Sequence, residues 1–398
     1  MTAFSDRAAG LPRLLIAGAG FSGAVLGRAL AEAGYPVSIH EARGHIAGNC
    51  HTERCPETGV MEHLYGPHLF PTDSARVQDY VTGFARFRPY INRVKTTSQG
   101  KVFGLPVNLH TINQFFGTTL RPEEARAFIA ARATPPAHGA EPANFEEQAL
   151  AMIGPELYAA FFEGYTRKQW GCDPKDLPAA ILKRLPLRFN YDDNYFAHPF
   201  QAMPEDGYTA LVAAILDHPG ITLRLNTAVT PGPDLARDWD HVFWTGPLDA
   251  WFGHDEGRLG YRTLDFAREA LPDCQDYQGC AVMNYGDSDV PFTRISEHRH
   301  FAPWEKPAGT LVVREYSRAC GPDDIPYYPI RQAGEMALLK RYVARARAAR
   351  GVSFLGRLGT YRYLDMDVTI REALEAADQM IPALQAGRPL PVFPAEPL

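Results

Sequence analysis

The most informative pattern of apolar and polar positions lies early in the chain. Leu14 to Ala17 form an unbroken apolar run, which predicts a strand buried on both faces. After a glycine-rich turn, apolar residues recur at helical spacing from Val25 to Ala33, and Gly34 predicts the end of this helix. A second short strand is predicted from Val37 to His40. The pattern therefore predicts a strand–turn–helix–strand unit of an α/β fold.

The rest of the chain predicts helices and further strands. Residues 79–109 have strand character, interrupted by a turn at Gln99–Gly100. Residues 110–185 are predicted to be helical, because Pro122 and Pro155 stand at first-turn positions and β-branched runs are few. Other apolar runs predict strands at Ile221–Asn226, Asp240–Thr245, Ala281–Tyr285, Arg294–His298, Thr310–Tyr316 and Val352–Leu355, and a last helix from about Asp367 to Ala377. A proline-rich, extended tail follows that helix.

Composition and charge narrow the class of protein. The chain has 398 residues, of which 45% are hydrophobic and 22% charged, as in a globular protein of two or three domains. A net charge of −6 and a pI near 6.1 disfavour a nucleic-acid-binding surface. No apolar stretch is long enough to predict a membrane span, and the first ten residues lack the apolar core of a signal peptide. The six cysteines show neither a C-x-x-C pair nor a metal-ligand spacing, so we expect reduced thiols, no metal and a cytoplasmic location.

The turn after the first strand carries the first candidate chemistry. Gly18, Gly20 and Gly23 form a G-x-G-x-x-G motif, with Phe21 and Ser22 between its last two glycines. Such a turn lets a pyrophosphate approach the backbone at a helix N-terminus, and Glu41 at the end of the second strand would accept hydrogen bonds from a ribose. A tight structural turn is the alternative. The following loop, from Arg43 to Asn49, contains glycines that permit close approach to a ligand.

An aromatic segment from Phe161 to Trp170 allows two interpretations. Phe161, Tyr165 and Thr166 share one predicted helical face, and Trp170 follows one turn later. An aromatic stripe on a helix is usually core. Tyrosine and tryptophan interleaved with Thr and Gln also suit a wall on which a planar base stacks, and the sequence does not decide between the two.

Arginine and tyrosine recur together at four places. These are Lys183–Tyr195, the segment around Arg294, the Tyr327–Tyr328 step and Tyr361–Tyr363. Any one of them is more often a solvated arginine or a structural tyrosine. Because guanidinium groups bind phosphate with two prongs and phenols add neutral donors, their recurrence predicts a converging pyrophosphate clamp.

Several longer strings closely resemble the UDP-galactopyranose mutase family of the bacterial type. The resemblance runs from about Leu14 to Leu374, and its most specific strings are Leu105–Phe116, Asn144–Ala149, Tyr165–Trp170, Arg188–Tyr195 and Gly356–Asp367. It implies a flavoenzyme that interconverts UDP-galactopyranose and UDP-galactofuranose. In that family reduced FAD supplies N5 as a nucleophile, a covalent sugar adduct forms, and no net redox change occurs.

The resemblance also implies a domain organisation. It predicts an α/β fold with a discontinuous Rossmann-like FAD-binding domain made of residues 12–84, 205–252 and 343–398. A helical-bundle insertion with a mobile loop, residues 110–185, would bind the substrate. An antiparallel β-sheet domain would comprise residues 85–109, 186–204 and 253–342.

Individual roles follow from positions that match the family. The implied FAD-binding residues are Gly18, Gly20, Phe21, Ser22, Gly23, Glu41, Arg43, Asn49, Arg357, Asp365 and Met366. Asp365 would also suit the N-cap of the last helix. The implied substrate-binding residues are Asn92, Phe161, Phe162, Tyr165, Thr166, Trp170, Arg184, Tyr195, Asn284, Arg294, Tyr328 and Tyr363. Arg184, Arg294 and His68 are the implied catalytic residues, and a nucleotide sugar is the implied substrate.

One departure from the family pattern concerns the sugar. The family usually has Gly-Pro-His-x-Phe-His-Thr, whereas Pro71 replaces the second histidine here. Since that position lies near the sugar in the family, UDP-N-acetylgalactosamine or dTDP-fucose are alternative substrates. An FAD-dependent oxidoreductase, or a non-enzymatic relative of Rab escort and GDP-dissociation-inhibitor proteins, are further alternatives, the latter disfavoured by the intact glycine turn. The sequence leaves the oligomeric state open, with a homodimer as one option.

Overall fold

The computed structural model describes residues 10–136, 140–184, 187–232 and 235–398. The strands are β1 (Leu14–Ala17), β2 (Val37–His40), β3 (Thr52–Arg54), β4 (Met61–His63), β5 (Phe70–Thr72), β6 (Phe87–Pro89), β7 (Val94–Ser98), β8 (Lys101–Leu105), β9 (Phe200–Pro204), β10 (Ile221–Arg224), β11 (His241–Trp244), β12 (Tyr261–Leu271), β13 (Val282–Tyr285), β14 (Arg294–Glu297), β15 (Thr310–Ala319), β16 (Tyr328–Pro329) and β17 (Val352–Phe354).

The α-helices are α1 (Phe21–Glu32), α2 (Ala75–Thr82), α3 (Leu109–Phe116), α4 (Pro122–Ala130), α5 (Phe145–Tyr158), α6 (Gly164–Trp170), α7 (Gly207–Leu216), α8 (Leu235–Asp238), α9 (Leu248–Trp251), α10 (Ala333–Ala348), α11 (Gly356–Gly359) and α12 (Met366–Gln385). Within the described ranges, none of these helices is both long and apolar enough to cross a membrane.

A parallel sheet in the order β10-β2-β1-β11-β17 contains both strands of the predicted strand–turn–helix–strand unit. All four residues of β1 are buried, as the apolar run predicted, because strands flank it on both sides. Helix α1 packs on this sheet so closely that a Cβ at Gly27 would lie 2.8 Å from Ile39 Cδ1. Gly34, with φ of +88°, ends the turn after α1, as predicted.

A second sheet has the order β16-β12-β15-β14-β13-β7-β8. Its pairings are antiparallel apart from β13 and β7, which run parallel. Strand β12 pairs with β15 over ten successive positions, from Arg262↔Ala319 to Leu271↔Thr310. The predicted antiparallel sheet and the helical insertion between β8 and β9 are both present, so the α/β fold class is confirmed.

The prediction of strand character from residue 79 is wrong at its start. Residues 75–82 form α2, because Ser74 Oγ caps the helix by accepting a hydrogen bond from Val77 N at 3.3 Å. Val77 and Val81, four residues apart, bury one face of this helix. The last helix also extends to Gln385, beyond the predicted end near Ala377.

The strands of each sheet come from the sequence segments that were predicted to form separate domains. The parallel sheet takes its strands from 12–84, 205–252 and 343–398, and the second sheet takes its strands from 85–109 and 253–342. Helix α10 runs unbroken across the predicted boundary at 342/343, and its Leu339 and Tyr342 pack with Trp244 beside the parallel sheet. The division into domains stays a prediction.

Candidate active site

The glycine turn has a backbone that only glycine tolerates at two positions. Gly18 has φ of +109°, and its N–H donates to His40 O at 2.8 Å. A Cβ at Gly18 would overlap Thr245 Oγ1, and a Cβ at Gly23 would overlap Gly18 O. The turn therefore keeps the N-terminus of α1 accessible to an anion, since helix N-termini carry free N–H groups.

Glu41 is fixed beside this turn. Its side chain is buried, with Oε2 accepting from Ala19 N and Oε1 accepting from Arg43 N, each at 2.9 Å. Both oxygens are thus held by backbone donors and keep further lone pairs. This geometry suits a carboxylate that accepts hydrogen bonds from ribose hydroxyls.

Arg43 extends the same site. Its Nη2 donates to Asn49 Oδ1 at 2.9 Å, and its guanidinium lies over the Tyr65 ring, 4.8 Å from the centroid. Among the described residues, the buried Arg43 Nη1 has no hydrogen-bond partner. Because an unpartnered buried donor is costly, this atom is suited to a polar group of a bound ligand.

A cavity of about 470 Å³ opens over these groups. The glycine turn, Glu41, Arg43 and Asn49 line one part, and His68, Arg357 and the first turn of α12 line another. Sequence-predicted residues among its lining are Gly18, Gly20, Phe21, Ser22, Glu41, Arg43, Asn49, His68, Arg357 and Met366. Gly23 lies beneath the turn rather than in the lining.

Asp365 stands at the N-cap of α12, but its side chain makes no capping hydrogen bond, so that part of the prediction is wrong. Burial is the main cause that raises the pKa of the Tyr195 phenol, and Asp365 adds to the shift. Asp365 therefore contributes to the electrostatics of Tyr195, one of the clamp tyrosines described below.

Arg357 and His68 lie where the cavity meets the second sheet. Arg357 donates from Nη1 to Tyr327 O at 3.1 Å and from Nη2 to Leu364 O at 2.7 Å, and it lies over the Tyr363 ring. Burial lowers the pKa of His68 to about 4, and Arg357 and Arg294 add to this shift. His68 Nδ1 lies 2.8 Å from Gly66 O and must donate to that carbonyl, so the neutral ring presents Nε2 as an acceptor.

Arg294 forms the centre of a group of phenols. Its Nε and Nη2 donate to the two carboxylate oxygens of Glu315 at 2.9 and 2.8 Å. Burial raises the pKa of Tyr165 to about 12, with Arg294 opposing the shift, and burial likewise raises the pKa of Tyr328. Tyr328 and Tyr363 stack with centroids 5.7 Å apart. These neutral hydroxyls and one fixed guanidinium can together donate to a diphosphate.

Two amides whose Oδ1 atoms are buried border this group. Asn284 lies directly opposite Arg294 in the β13–β14 register, and the backbone oxygen of Asn92 accepts from Tyr195 N at 2.9 Å. Within the described part of the chain, neither Asn92 Oδ1 nor Asn284 Oδ1 has a hydrogen-bond partner. Both amides are therefore available to a polar ligand.

The aromatic segment contains a π-helical turn, Ala159–Glu163, followed by α6. The Phe161 ring packs on Phe103 and Phe115, with centroids 5.1 and 5.5 Å apart, and so belongs to the core. Phe162 and Thr166 are buried as well. Trp170 instead faces Tyr328 at 6.5 Å, and Tyr165 lies in the field of Arg294. The core interpretation therefore holds for Phe161, whereas a base-stacking role of Tyr165 and Trp170 stays a prediction.

The remaining predicted positions are less informative. The Arg184 side chain lies outside the described residues. Pro71 lies in β5 opposite Gln201 and is partly buried, and it does not line the cavity.

Sequence analysis missed Glu315 and Thr245. Glu315 is a buried acid in β15, but this strand also contains Arg314, Ser317 and Arg318, so no local pattern marked the glutamate. Thr245 Oγ1 donates to Ala17 O at 2.6 Å and closes the far side of the glycine turn.

The fold and site define a flavin-binding α/β protein of the Rossmann type. Residues 16–84 match a model of NAD(P)-binding Rossmann-like domains, and residues 160–363 match the model of UDP-galactopyranose mutase. A probable UDP-galactopyranose mutase of Klebsiella pneumoniae is 56% identical over 96% of this chain and 97% of its own length. A dTDP-fucopyranose mutase of Escherichia coli is 48% identical over 93% of this chain and 98% of its own length. The chain belongs to the UDP-galactopyranose mutase family.

Solved structures agree at the level of the fold. A crystal structure of reduced UDP-galactopyranose mutase superposes with a TM-score of 0.74 at 16% identity, covering 93% of this chain and 96% of that one. A putative protoporphyrinogen oxidase from Exiguobacterium follows with a TM-score of 0.62 at 14% identity. The family is FAD-dependent. The cavity fits that cofactor through the glycine turn, the backbone-held Glu41 and the unpartnered Arg43 Nη1.

Proposed function

We propose that this protein is a flavin-dependent mutase that interconverts the pyranose and furanose forms of UDP-linked galactose without net redox change. The observation that carries the proposal is the Arg294–Glu315 pair, which is set among protonated tyrosines and interacts electrostatically with His68, a residue of the cavity lining. An enzyme that only oxidises a small substrate has no need of such a group. An enzyme does need such an arginine–tyrosine group when the diphosphate of its nucleotide-sugar substrate must leave and return.

Bound reduced FAD would supply the nucleophile for exchange at the anomeric carbon, and the chain supplies position and charge. Arg294 and the hydroxyls of Tyr165, Tyr195, Tyr328 and Tyr363 would donate to the diphosphate. These interactions strengthen as negative charge grows on the leaving group, so they favour the transition state. Glu315 keeps the guanidinium in one orientation, which avoids reorganisation during the reaction.

The nucleoside and sugar would lie on either side of the clamp. Tyr165, Thr166 and Trp170 of α6 are proposed to contact the uridine, with Phe161 and Phe162 supporting them from the core side. Asn92 and Asn284, whose Oδ1 atoms are buried and unpartnered among the described residues, are proposed to bind sugar hydroxyls. Arg184 is proposed as the second arginine on the diphosphate by family position alone.

A second candidate substrate is dTDP-fucose, favoured by Pro71. Gln201 lies opposite Pro71 in the β5–β9 register, and within the described chain its Oε1 is buried without a partner. A histidine in place of Pro71 would bring a donor into this region. Without this donor the pocket makes one polar contact fewer, which suits a 6-deoxy sugar because that sugar lacks one hydroxyl group.

The test is a product assay with dithionite-reduced protein. UDP-galactofuranose, dTDP-fucofuranose and the pyranose forms of UDP-galactose, UDP-N-acetylgalactosamine and dTDP-fucose are incubated separately, and products are separated by chromatography. We expect UDP-galactofuranose to give UDP-galactopyranose with the highest kcat/KM. Arg294→Ala should lose this turnover, whereas the control Arg314→Ala, which removes a guanidinium paired with Glu269 on the neighbouring strand, should retain it. Absence of ring interconversion with every substrate would refute the proposal.

Two further predictions concern the cellular location and the oligomeric state. Because none of the six cysteines is paired in the structure, we retain the prediction of a cytoplasmic location, checked by cell fractionation. A homodimer stays a prediction, checked by sedimentation of the FAD-loaded protein.

A further inference from the structure

Lys168 is surrounded by backbone carbonyl groups. Its Nζ donates to Tyr285 O and Asp287 O at 2.8 Å each, to Val290 O at 3.0 Å and to Phe292 O at 3.2 Å. Burial lowers the pKa of this ammonium to about 8, with Asp287 and Asp289 opposing the shift. The four carbonyl oxygens therefore take the place of the water that the cation has lost.

These carbonyls belong to the last residue of β13, Tyr285, and to the loop that joins β13 to β14. Asn284 immediately precedes Tyr285, and Arg294 follows the loop at the start of β14. Lys168 itself lies in α6, between Thr166 and Trp170. The ammonium thus joins the helix proposed to contact the nucleoside to the hairpin that carries the diphosphate arginine and the Asn284 amide.

The surrounding contacts leave α6 little freedom to shift. A Cβ at Gly164 would overlap Gly286 O, so the helix backbone is in direct contact with the loop. At the other end of α6, Arg262 Nε donates to Gln169 O at 3.0 Å. Ser317 Oγ donates to the same carbonyl at 2.6 Å.

We propose that Lys168 is a positioning residue, whose ammonium sets the distance between the nucleoside-binding face of α6 and Arg294. The proposal rests on the proposed function, because it assigns α6 and Arg294 to one nucleotide sugar. Lys168 does not touch the substrate. It acts by holding the loop that fixes where β14 begins.

The four carbonyl oxygens around Lys168 Nζ form a cage, and the chemistry of this carbonyl cage explains why lysine is required. An ammonium is a compact charge with three donors, whereas guanidinium is a planar fork that cannot point at four converging carbonyls. Rings of carbonyl oxygens at these distances also bind potassium, whose size is close to that of ammonium. An empty cage should therefore accept a free NH₄⁺ ion. A cavity lined by Gly164, Gly286, Glu163, Asp287 and Asp289 adjoins the loop and gives cations access.

The first experiment compares Lys168→Ala with Lys175→Ala in FAD-loaded protein. Lys175 is an exposed lysine just beyond α6, so its replacement removes the same charge from the same region. Calorimetric titration with UDP measures nucleoside and diphosphate binding without turnover. We expect Lys168→Ala to weaken UDP binding on the order of tenfold to a hundredfold, with unchanged FAD content, whereas Lys175→Ala binds UDP normally.

The second measurement is rescue by ions at constant ionic strength. NH₄Cl should restore part of the UDP affinity of Lys168→Ala, NaCl and tetramethylammonium chloride should not, and the wild type should respond to none of them. A Lys168→Ala protein that melts at lower temperature but binds UDP like the wild type would overturn the proposal, as would equal effects of all three salts.

Three further outcomes are also decisive. If Lys168→Ala does not yield folded protein, Lys168→Arg is measured instead, and UDP binding equal to that of the wild type would overturn the proposal. If the wild type binds UDP but does not interconvert sugars, the mutase function fails while the UDP titrations still decide the role of Lys168. A wild type that does not bind UDP would overturn the role proposed for Lys168 and the assignment of a UDP-sugar substrate, while the product assay still decides whether the protein is a mutase.

Discussion

Arg294 and Glu315 are direct cross-strand partners in the β14–β15 register and form a two-pronged ion pair there. Glu315 is 2% exposed, so the pair is shielded from water on the side of the carboxylate. The two bonds use Nε and Nη2 of the guanidinium. Among the described residues Nη1 forms no hydrogen bond, and it remains to donate to a ligand. The strand pairing therefore fixes the orientation of the charge that is proposed to meet the diphosphate.

The first prediction concerns this guanidinium. Arg294→Ala should lower kcat/KM for the nucleotide sugar by about 2–5 kcal/mol, because it removes the donor and leaves Glu315 buried without its partner. Arg294→Lys should recover little, since an ammonium cannot bond both carboxylate oxygens and a phosphate in one plane. Steady-state kinetics of both variants beside Arg314→Ala provide the check. Near wild-type turnover of Arg294→Ala would remove this residue from the site.

A second prediction concerns the cofactor. Glu41→Ala should weaken FAD binding by about 1–3 kcal/mol, because the ribose and two backbone N–H groups lose their common acceptor. Fluorescence titration of the deflavinated protein with FAD measures the change. Glu32→Ala, which alters an exposed carboxylate at the end of α1, is the control and should bind FAD normally. Equal FAD affinities of the wild type and Glu41→Ala would contradict the role of Glu41.

Features that depend on residues close together in the sequence could be predicted, whereas features that depend on contacts between distant segments could not. The turn from Gly18 to Gly23 and the buried strand before it are local, so the apolar run and the glycine spacing sufficed. Strand β12 was missed because its second half, Asp265–Leu271, is rich in helix-favouring residues such as Ala, Arg and Glu. Pairing with β15 over ten positions overrides that preference.

The candidate site shows the same limit. The aromatic and arginine-rich segments could be recognised one by one, but their convergence depends on β13, β14 and β15 being neighbours. The partnership of Arg294 with Glu315 has no sequence signal, because Glu315 is one of several polar residues in β15. The carbonyl cage around Lys168 has none, because backbone acceptors carry no residue identity.

A third prediction concerns pH and stability. Burial lowers the pKa of His40 and His51, and it acts more strongly on four other histidines: to about 4 for His68 and His241, to about 3 for His298, and well below the usual value for His63. They stay neutral in the native state, whereas in the unfolded chain they gain protons below pH ~6.5. The free energy of unfolding should therefore fall as pH falls from 6.5 toward 4, by up to about 1.4 kcal/mol per pH unit for each histidine. His300, whose pKa is raised mainly by its hydrogen bond to Glu297, opposes this trend.

Urea unfolding at several pH values between about 7 and 5 measures this slope. His241 lies outside the cavity, with Nε2 2.9 Å from Ser353 Oγ. His241→Asn should therefore reduce the pH dependence of the free energy of unfolding by the contribution of one titrating histidine. A free energy of unfolding that does not change over this range would show that these histidines titrate normally in the folded protein.

A fourth prediction tests the specificity of the sugar pocket. Pro71→His places an imidazole opposite Gln201, whose Oε1 is buried without a partner among the described residues. We expect the ratio of kcat/KM for UDP-galactose and dTDP-fucose to shift by about ten- to a hundredfold, the range for one pocket contact. Pro89→His, an exposed position on β6 of the same small sheet, is the control. If the ratio does not move in Pro71→His, this proline has no part in substrate choice and UDP-galactose is the better assignment.

The most direct test of the central claim follows the flavin and the sugar in one anaerobic reaction. Dithionite-reduced protein, freed of excess dithionite, is mixed with a large excess of UDP-galactofuranose while flavin absorbance is recorded and samples are analysed by chromatography. A mutase converts many equivalents of furanose to pyranose while the resting absorbance stays that of reduced flavin. Stoichiometric reoxidation of the flavin, with no more than one equivalent of sugar consumed, would contradict the account and indicate an oxidoreductase.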